Sequence, residues 1–402
     1  MQRSEAVAMQ ALPDLVGRQF ARDPGTVYLD TCARGLLPLA ARDAVGRLMD
    51  DRVAGRVDKE ALFATVERAR ERFAALVGAA ADEVAITKNV SEGIAIIAGA
   101  VPWRAGDNVV VCLDLEHPNN VYPWLNLQQR LGVEVRAVVP REGHIPADAV
   151  VEAIDARTRL VSLSTVSFSP GFRTDVATVG RACRERDVLL LADGVQSVGI
   201  LDTDVEALGI DAMAVSTQKG LLGLYGFGFL YCRQAWAERL QPAALARFGV
   251  DLGQAHEAAM GSGQYRLMPG ARRFDLGNYN YAGAAAAAES LGVIAAIGTE
   301  SIEAHVTRLS HRLAGGLFES GLPVAGGAPG PHLASIVSVG EIGGGHDTTD
   351  DPRIGALYRH LAEHGVALTI RRGMLRMALH LYNTDGDVAR VLELARDWLK
   401  RG

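Results

Sequence analysis

Apolar positions along this chain follow two periods. Runs of four to seven nearly continuous apolar residues occur at Glu83–Thr87, Asn108–Leu113, Val133–Val139, Leu160–Thr165, Val188–Ala192, Ala212–Val215 and Phe227–Cys232. Runs this short that lack alternation predict strands buried on both faces. Between them apolar residues recur at helical spacing. Val45, Leu48 and Val53, then Leu62, Val66, Ala69, Phe73 and Leu76, predict two helices within Leu39–Val77. Further helices follow through Ile94 and Ile97, and over Trp124–Leu131, Ala147–Ile154 and Thr178–Arg186. Val27–Asp30 reads as one brief extra strand. Strands alternating with helices in this way predict an α/β fold with a mostly parallel sheet, covered on both faces.

After Arg233 the pattern changes. Gln241–Arg273 is mixed and glycine-bearing, and predicts a long surface excursion. Two helices follow, Ala282–Ile297 and Ile302–Leu317, then a strand, Ala334–Val339, and a glycine- and acid-rich loop, Gly340–Asp351. Helix Ile354–His364, strands Val366–Ile370 and Leu375–His380, and helix Val388–Leu399 complete the chain. The expected organisation is an N-terminal arm with one short helix (1–25), a large domain (26–281) and a smaller α/β domain with antiparallel strands (282–402).

Composition narrows the class. The chain has 402 residues, 49% hydrophobic and 22% charged, enough apolar content for two packed domains and too much for a disordered chain. A net charge of −6 with no basic run argues against nucleic-acid binding. Cys32, Cys112, Cys183 and Cys232 form no C-x-x-C pair, which suits a reducing compartment. Glu5, Gln10, Pro13 and Asp14 interrupt any signal-peptide core in Met1–Phe20, and no apolar run reaches membrane-spanning length. The expectation is a cytoplasmic protein.

The candidate chemistry gathers in Val188–Arg233. The run ending at Ala192 delivers Asp193, and the run ending at Val215 delivers Ser216, Thr217, Gln218 and Lys219. Ligands of α/β sheets sit at the carboxyl ends of strands. A buried acid calls for a cationic partner; Lys219 could be that partner, or a nucleophile towards a carbonyl. Asn89-Val90-Ser91-Glu92-Gly93 opens a helix, where free backbone N–H groups suit a phosphate or a plain cap. His117 follows a buried run. Arg376, between Leu375 and Met377, needs an anion, either a structural carboxylate or a substrate's. His360-x-x-Glu363-His364 matches an inverted zinc-protease pattern, but Gly365 places His364 in the last turn, where histidine caps a helix. No dinucleotide fingerprint, Walker loop or serine-hydrolase elbow is present.

Taken together, Asp193-x-x-Gln196, Ser216-x-Gln218-Lys219 and the G-x-G at 226–228 resemble the class V aminotransferase and cysteine desulfurase-like branch of fold-type I pyridoxal-phosphate enzymes. The likeness extends to YLDTCARGLLP, NVSEG, EHPNNVYPW and the closing R-x-G-x-L-R with YNT. It implies pyridoxal 5'-phosphate as cofactor and an α-amino acid as substrate. Lys219 would hold the cofactor's aldehyde carbon and move the Cα proton. Asp193 would keep the ring nitrogen protonated, His117 would stack on the ring, and Gln196 would bond its phenolic oxygen. Ser91, Ser216 and Gln218 would hold the phosphate. Asn278 would reach a phosphate in the partner subunit of a homodimer with shared sites, and Arg376 would clamp the substrate carboxylate.

Three departures matter. Gln218 stands where the family usually has histidine. Phe168 replaces a desulfurase asparagine, as in the kynureninase-like branch. No cysteine lies between Gly340 and Arg376, where desulfurases carry a mobile thiol. The resemblance therefore implies Cα/Cβ chemistry on a cysteine-type conjugate, such as C–S lysis or decarboxylation-coupled deamination, as in natural-product tailoring enzymes. An aminotransferase or isopenicillin N epimerase-like enzyme is the alternative, and a non-catalytic cofactor-binding module is a remote one. Thr31, Arg34, Phe172 and Gln241–Arg273 are the candidates for contacting the substrate side chain.

Overall fold

A computed structural model of the chain describes residues 14–253 and 265–401. The opening strand β1 (Val27–Tyr28) stands apart from the main sheet. That sheet comprises β2 (Val84–Thr87), β3 (Asn108–Val111), β4 (Glu134–Ala137), β5 (Thr158–Ser164), β6 (Leu189–Asp193), β7 (Ala212–Ser216) and β8 (Gly228–Cys232). Across the sheet the order is β2-β8-β7-β6-β5-β3-β4. The five strands from β4 to β7 run parallel, whereas β8 is antiparallel to both its neighbours. The reversal has a local cause. A parallel return needs a crossover of about a dozen residues or more, and the link 217–227 is shorter than that and holds only turns.

Runs that look uniformly apolar divide between two faces. Leu189, Leu191, Ala212 and Ala214 pack with Ile94, Ile97, Trp124 and Leu127 on one side. Leu190, Ala192, Met213 and Val215 join Val179 and Cys183 in the cluster on the other. Both faces are thus dry, which is why the period-two signal is absent from the sequence. Helices Leu39–Val53 and Lys59–Leu76 lie against Tyr281–Ile297, whose buried Ala284–Ala288 run lets the backbones approach closely.

The strands β9 (Val250–Asp251) and β10 (Arg266–Leu267) form a small antiparallel pair within the predicted excursion; its residues 254–264 lie outside the described part. Beyond the long helices come β11 (Ile336–Val339), β12 (Val366–Ala367), β13 (Thr369–Arg371) and β14 (Met374–Ala378). β11, β14 and β13 make the expected antiparallel sheet. The predicted strand Val366–Ile370 is split, and β12 pairs in parallel with β1. The beginning of the chain is thereby stitched to its C-terminal part, and Asp30 bridges to Ala378. A helix at 14–19 represents the predicted arm; residues 1–13 lie outside the described residues. Among the described residues no single helix is long and apolar enough to cross a membrane.

Candidate active site

A cavity of about 390 Å³ opens at the carboxyl ends of β3, β5, β6 and β7. The neighbouring strands β3 and β5 connect onward to opposite sides, to β4 and to β6, which opens a crevice between them. Ser91, His117, Asp193, Gln196, Ser216, Gln218, Lys219 and Arg376 all line this cavity. Asn278 does not. It occupies a left-handed turn (φ 43°) beside Thr87, Lys88 and Gly226 in a separate, small cavity.

The floor is a buried carboxylate network. Asp193 accepts from the Asn120 amide at 2.7 Å and from the Val195 N–H at 2.8 Å. Asn120 also donates to Glu116 at 2.9 Å, and Glu116 accepts from both the N–H and the hydroxyl of Ser164 at 2.6 Å. Burial raises the Asp193 carboxyl above its ordinary value, against the pull of these donors and of Lys219. Burial likewise pushes Glu116 up to about 7, despite its Ser164 and Asn120 bonds. The expected cation beside Asp193 is not Lys219, since no ion pair joins them within 4 Å. Both charges are instead aimed at the same space from different strands.

Lys219 sits in a turn that two other segments hold. The Gly35 N–H donates to the Gln218 carbonyl at 2.8 Å, and a Cβ at Gly35 would stand 2.4 Å from the Lys219 carbonyl oxygen, so only glycine fits. His380, wholly buried beyond β14, has Nε2 2.9 Å from the Gly220 carbonyl, while its Nδ1 accepts from the Leu381 N–H at 2.6 Å. That pattern requires a neutral ring with its proton on Nε2, and burial holds its pKa down at about 4. Burial also lowers the Lys219 amine below its usual value, opposed by Asp193 and Cys32 and reinforced by Arg376 and Arg371. A lowered pKa favours the neutral amine, the form whose electron pair attacks a carbonyl.

Helix Val90–Ala100 points its N-terminus at the cavity. Asn89 caps it by accepting from the Glu92 N–H, the Ser216 hydroxyl accepts from the Val90 N–H at 2.8 Å, and Ser91 receives the Asn119 amide at 2.8 Å. His117 accepts the Asn119 N–H on Nδ1 at 3.2 Å and stands edge-on to Phe168, 5.3 Å between ring centres. Burial and the cations Lys219, Arg371 and Arg376, together with His346, depress its pKa to about 4. The Gln196 amide, expected at a phenolic oxygen, donates to the Cys32 carbonyl at 3.1 Å; its second N–H remains for the cavity.

The roof comes from the C-terminal part and the first loop. Arg376 is 2% exposed; it donates to the Phe168 carbonyl and reaches Thr369 Oγ1 at 3.4 Å. Its Nε is buried without a partner, and among the described residues no carboxylate pairs with it. The structural-carboxylate reading of Arg376 therefore fails. Of the candidates for the substrate side chain, Thr31 is tied to Tyr382 at 2.5 Å, Arg34 faces Asp30 at 3.7 Å, and Phe172 packs between His144 and His332. None of the three lines the cavity, nor does any described residue of Gln241–Arg273. Cys32, Phe168, Tyr225, His346 and Arg371 do. Phe168 was legible as a departure from pattern; Cys32 and His346 were not singled out, because neither loop has a period to read. His364 ends its helix as expected, with Nδ1 2.7 Å from the His360 carbonyl.

The donor set fits pyridoxal phosphate. A helix N-terminus with two hydroxyls suits the phosphate, a buried acid without an ion partner suits a protonated ring nitrogen, and a desolvated lysine suits an aldehyde. Fold and site together define a fold-type I pyridoxal-phosphate enzyme. The family model described as Aminotransferase class-V matches residues 27–391, and the chain belongs to the class-V aminotransferase family. A probable cysteine desulfurase of Methanothermobacter thermautotrophicus is 36% identical over 249 residues, covering 62% of this chain and 60% of that protein. The uncharacterized aminotransferase YcbU of Bacillus subtilis is 28% identical over 386 residues, 96% of this chain and 98% of its own. In fold, the chain resembles the cysteine desulfurase CsdA of Escherichia coli, with a TM-score of 0.81 at 23% identity over 97% of this chain and 98% of that one. It also resembles the cystine C-S lyase C-DES, with a TM-score of 0.80 at 22% identity over 92% and 97%.

Proposed function

We propose that the protein is a pyridoxal-phosphate-dependent C–S lyase for a cysteine-type conjugate, working as a homodimer. Pyridoxal phosphate, when bound, supplies a sink for the electron pair left on the substrate Cα. The remaining work falls to the chain's own side chains. Lys219 holds the aldehyde carbon and moves the Cα proton, and Asp193, fixed by Asn120 and Val195, keeps a proton on the ring nitrogen. His117 covers the ring face as a neutral imidazole, Gln196 bonds the phenolic oxygen, and Ser91, Ser216 and Gln218 take the phosphate, with Asn278 contributed to the partner's site. Arg376 grips the α-carboxylate and so decides which Cα bond faces the sink.

The observation that carries the lyase reading is the sulfur inventory of the cavity. The loop 340–351 holds no cysteine. The one thiol that lines the cavity, Cys32, is 3% exposed and sits 3.9 Å from Thr369 Oγ1 on a loop pinned through its carbonyl. A sulfur carrier has to travel to a second protein or solvent; Cys32 has no such freedom. Cleavage with release of the thiol requires no carrier. The test is a product assay with cysteine conjugates. Pyruvate, ammonia and free thiol in equal amounts support the lyase. Conversion of the bound cofactor to its amine form supports an aminotransferase instead, and racemised substrate supports an epimerase.

A further inference from the structure

The loop 340–351, between β11 and helix Pro352–Glu363, brings one imidazole to the cavity. His346 lines it, and its Nδ1 lies 2.9 Å from the Asp347 carboxylate. Asp347 is in turn paired with Arg371 of β13. The backbone is tied as well: the Arg372 N–H donates to the His346 carbonyl at 3.2 Å, and the Gly343 N–H to the Arg372 carbonyl at 2.7 Å. The loop is therefore laced to the turn between β13 and β14, which holds the backbone at His346. A carboxylate 2.9 Å from Nδ1 favours a proton there, which leaves Nε2 as the nitrogen that can exchange a proton with the cavity.

Breaking the Cβ–S bond of an alkyl conjugate expels a basic thiolate, and a positioned acid speeds such a step by about 10²–10⁴-fold. The other cavity groups are poor donors for it. Lys219 is engaged at Cα. His117 is held neutral, with its pKa pushed down to about 4. Cys32 is buried against Thr369. Lys219, Arg371, Arg376, Asp193 and the ring of His117 share the cavity with His346, and the Asp347 carboxylate stands 2.9 Å from its Nδ1.

We propose that His346, oriented by Asp347, is the general acid that protonates the departing sulfur; this rests on the lyase reading above. In the step, Lys219 takes the Cα proton and the Cα–H electron pair becomes the Cα–Cβ double bond. The Cβ–S pair leaves with sulfur, which takes the Nε2 proton of the His346 imidazolium. The products are a thiol and 2-aminoacrylate, which water converts to pyruvate and ammonium. His346 is then reprotonated from solvent while Lys219 returns its proton there, so no oxidant or reductant is consumed. Asp347 acts as a positioning residue.

The experiment compares S-ethylcysteine, whose thiolate needs a proton, with β-chloroalanine, whose chloride does not. With cofactor colour as the control for folding, H346Q lowers the ratio of kcat/KM for S-ethylcysteine over β-chloroalanine by about 100-fold or more. An unchanged ratio in a wild type active on both substrates overturns the acid role alone. Pyruvate from neither substrate in the wild type overturns the lyase reading, and this role with it. Independently of turnover, ¹⁵N spectra of the holoenzyme should show the His346 proton on Nδ1 in the neutral ring, with D347N moving it to Nε2. A wild-type ring already protonated on Nε2 overturns the assignment to Asp347.

Discussion

The carboxyl ends of β6 and β7 present Asp193 and Lys219 from strands that are buried along their whole length. The loop 340–351 and the edge strand β13 present His346 and Arg371 from near the surface, where the His346 side chain is 70% exposed. The two regions face each other across one cavity and are held by different forces. The floor is fixed by packing and by hydrogen bonds that cannot exchange with water, so it can hold shifted pKa values in Asp193, Glu116, Lys219 and His380. The roof is fixed by the β13–β14 turn and by ion pairs that water screens. Chemistry common to every substrate belongs on the first kind of support, and discrimination among substrates on the second.

The strongest test of this contrast is Lys219→Ala. The variant should fold and still take up the other cofactor contacts, but it loses the yellow band of lysine-bound cofactor. Its kcat/KM should fall by more than about 10⁴-fold, since on the proposed reading one residue both holds the carbonyl and moves a proton. Turnover within about tenfold of wild type would move the centre of the chemistry away from the floor.

Stability against pH reads the floor directly, and two groups give opposite signs. His380 has a folded pKa of about 4, below its unfolded value of 6.5. The unfolded chain binds the extra proton, so the contribution is complete above 6.5 and is lost as pH falls towards 4, by ~3 kcal/mol. His380→Gln should flatten that acid limb in denaturant titrations of the cofactor-free protein. Glu116 runs the other way. Its folded pKa of about 7 lies above the unfolded 4.5, so the folded state binds more protons and its contribution fades as pH rises from 4.5 through 7. Between pH 5 and 8, Glu116→Gln should gain ~2–3 kcal/mol relative to wild type. A gap that stays constant with pH would mean that Glu116 is ionised in the fold at all these values.

The same contrast explains what the sequence discloses. Strands β5, β6 and β7 and the residues at their ends were legible because a doubly buried strand must be an apolar run, and a polar residue at its end breaks the run. The five-strand parallel core, the antiparallel small sheet and the caps at Asn89 and His364 follow from the same local rules. Strand β8 was found, but its direction depends on the missing crossover, which is a tertiary fact. The pairing of β1 with β12 joins residues more than three hundred positions apart, and nothing in VYLD announces it. His380 looks like one more residue of a strand, and its bond to the Gly220 carbonyl is set by docking of the C-terminal part on the Lys219 turn. Thr31, Arg34 and Phe172 do not line the cavity, because proximity in sequence to a motif does not decide which way a side chain points. Cys32 and Ala33, next to Thr31, line the cavity instead.

Arg376 joins the two regions, and it supplies the smallest of the expected effects. It is as buried as the floor, yet it springs from β14, beside the roof. Its guanidinium spends two contacts on the Phe168 carbonyl and Thr369 and leaves Nε without a partner. A substrate carboxylate bonded there is worth ~1.5–3 kcal/mol, the range of hydrogen bonds between charged groups. Arg376→Ala should therefore raise KM by about 10–100-fold, while the cofactor band persists because Lys219 and Asp193 are untouched. Arg376→Lys keeps the charge but not the planar fork, and should recover only part of the loss. A fall in kcat at constant KM would show that Arg376 serves alignment of the Cα bond more than binding. Loss of the cofactor band would assign it to the floor, as a support for Phe168 and the ring beside it.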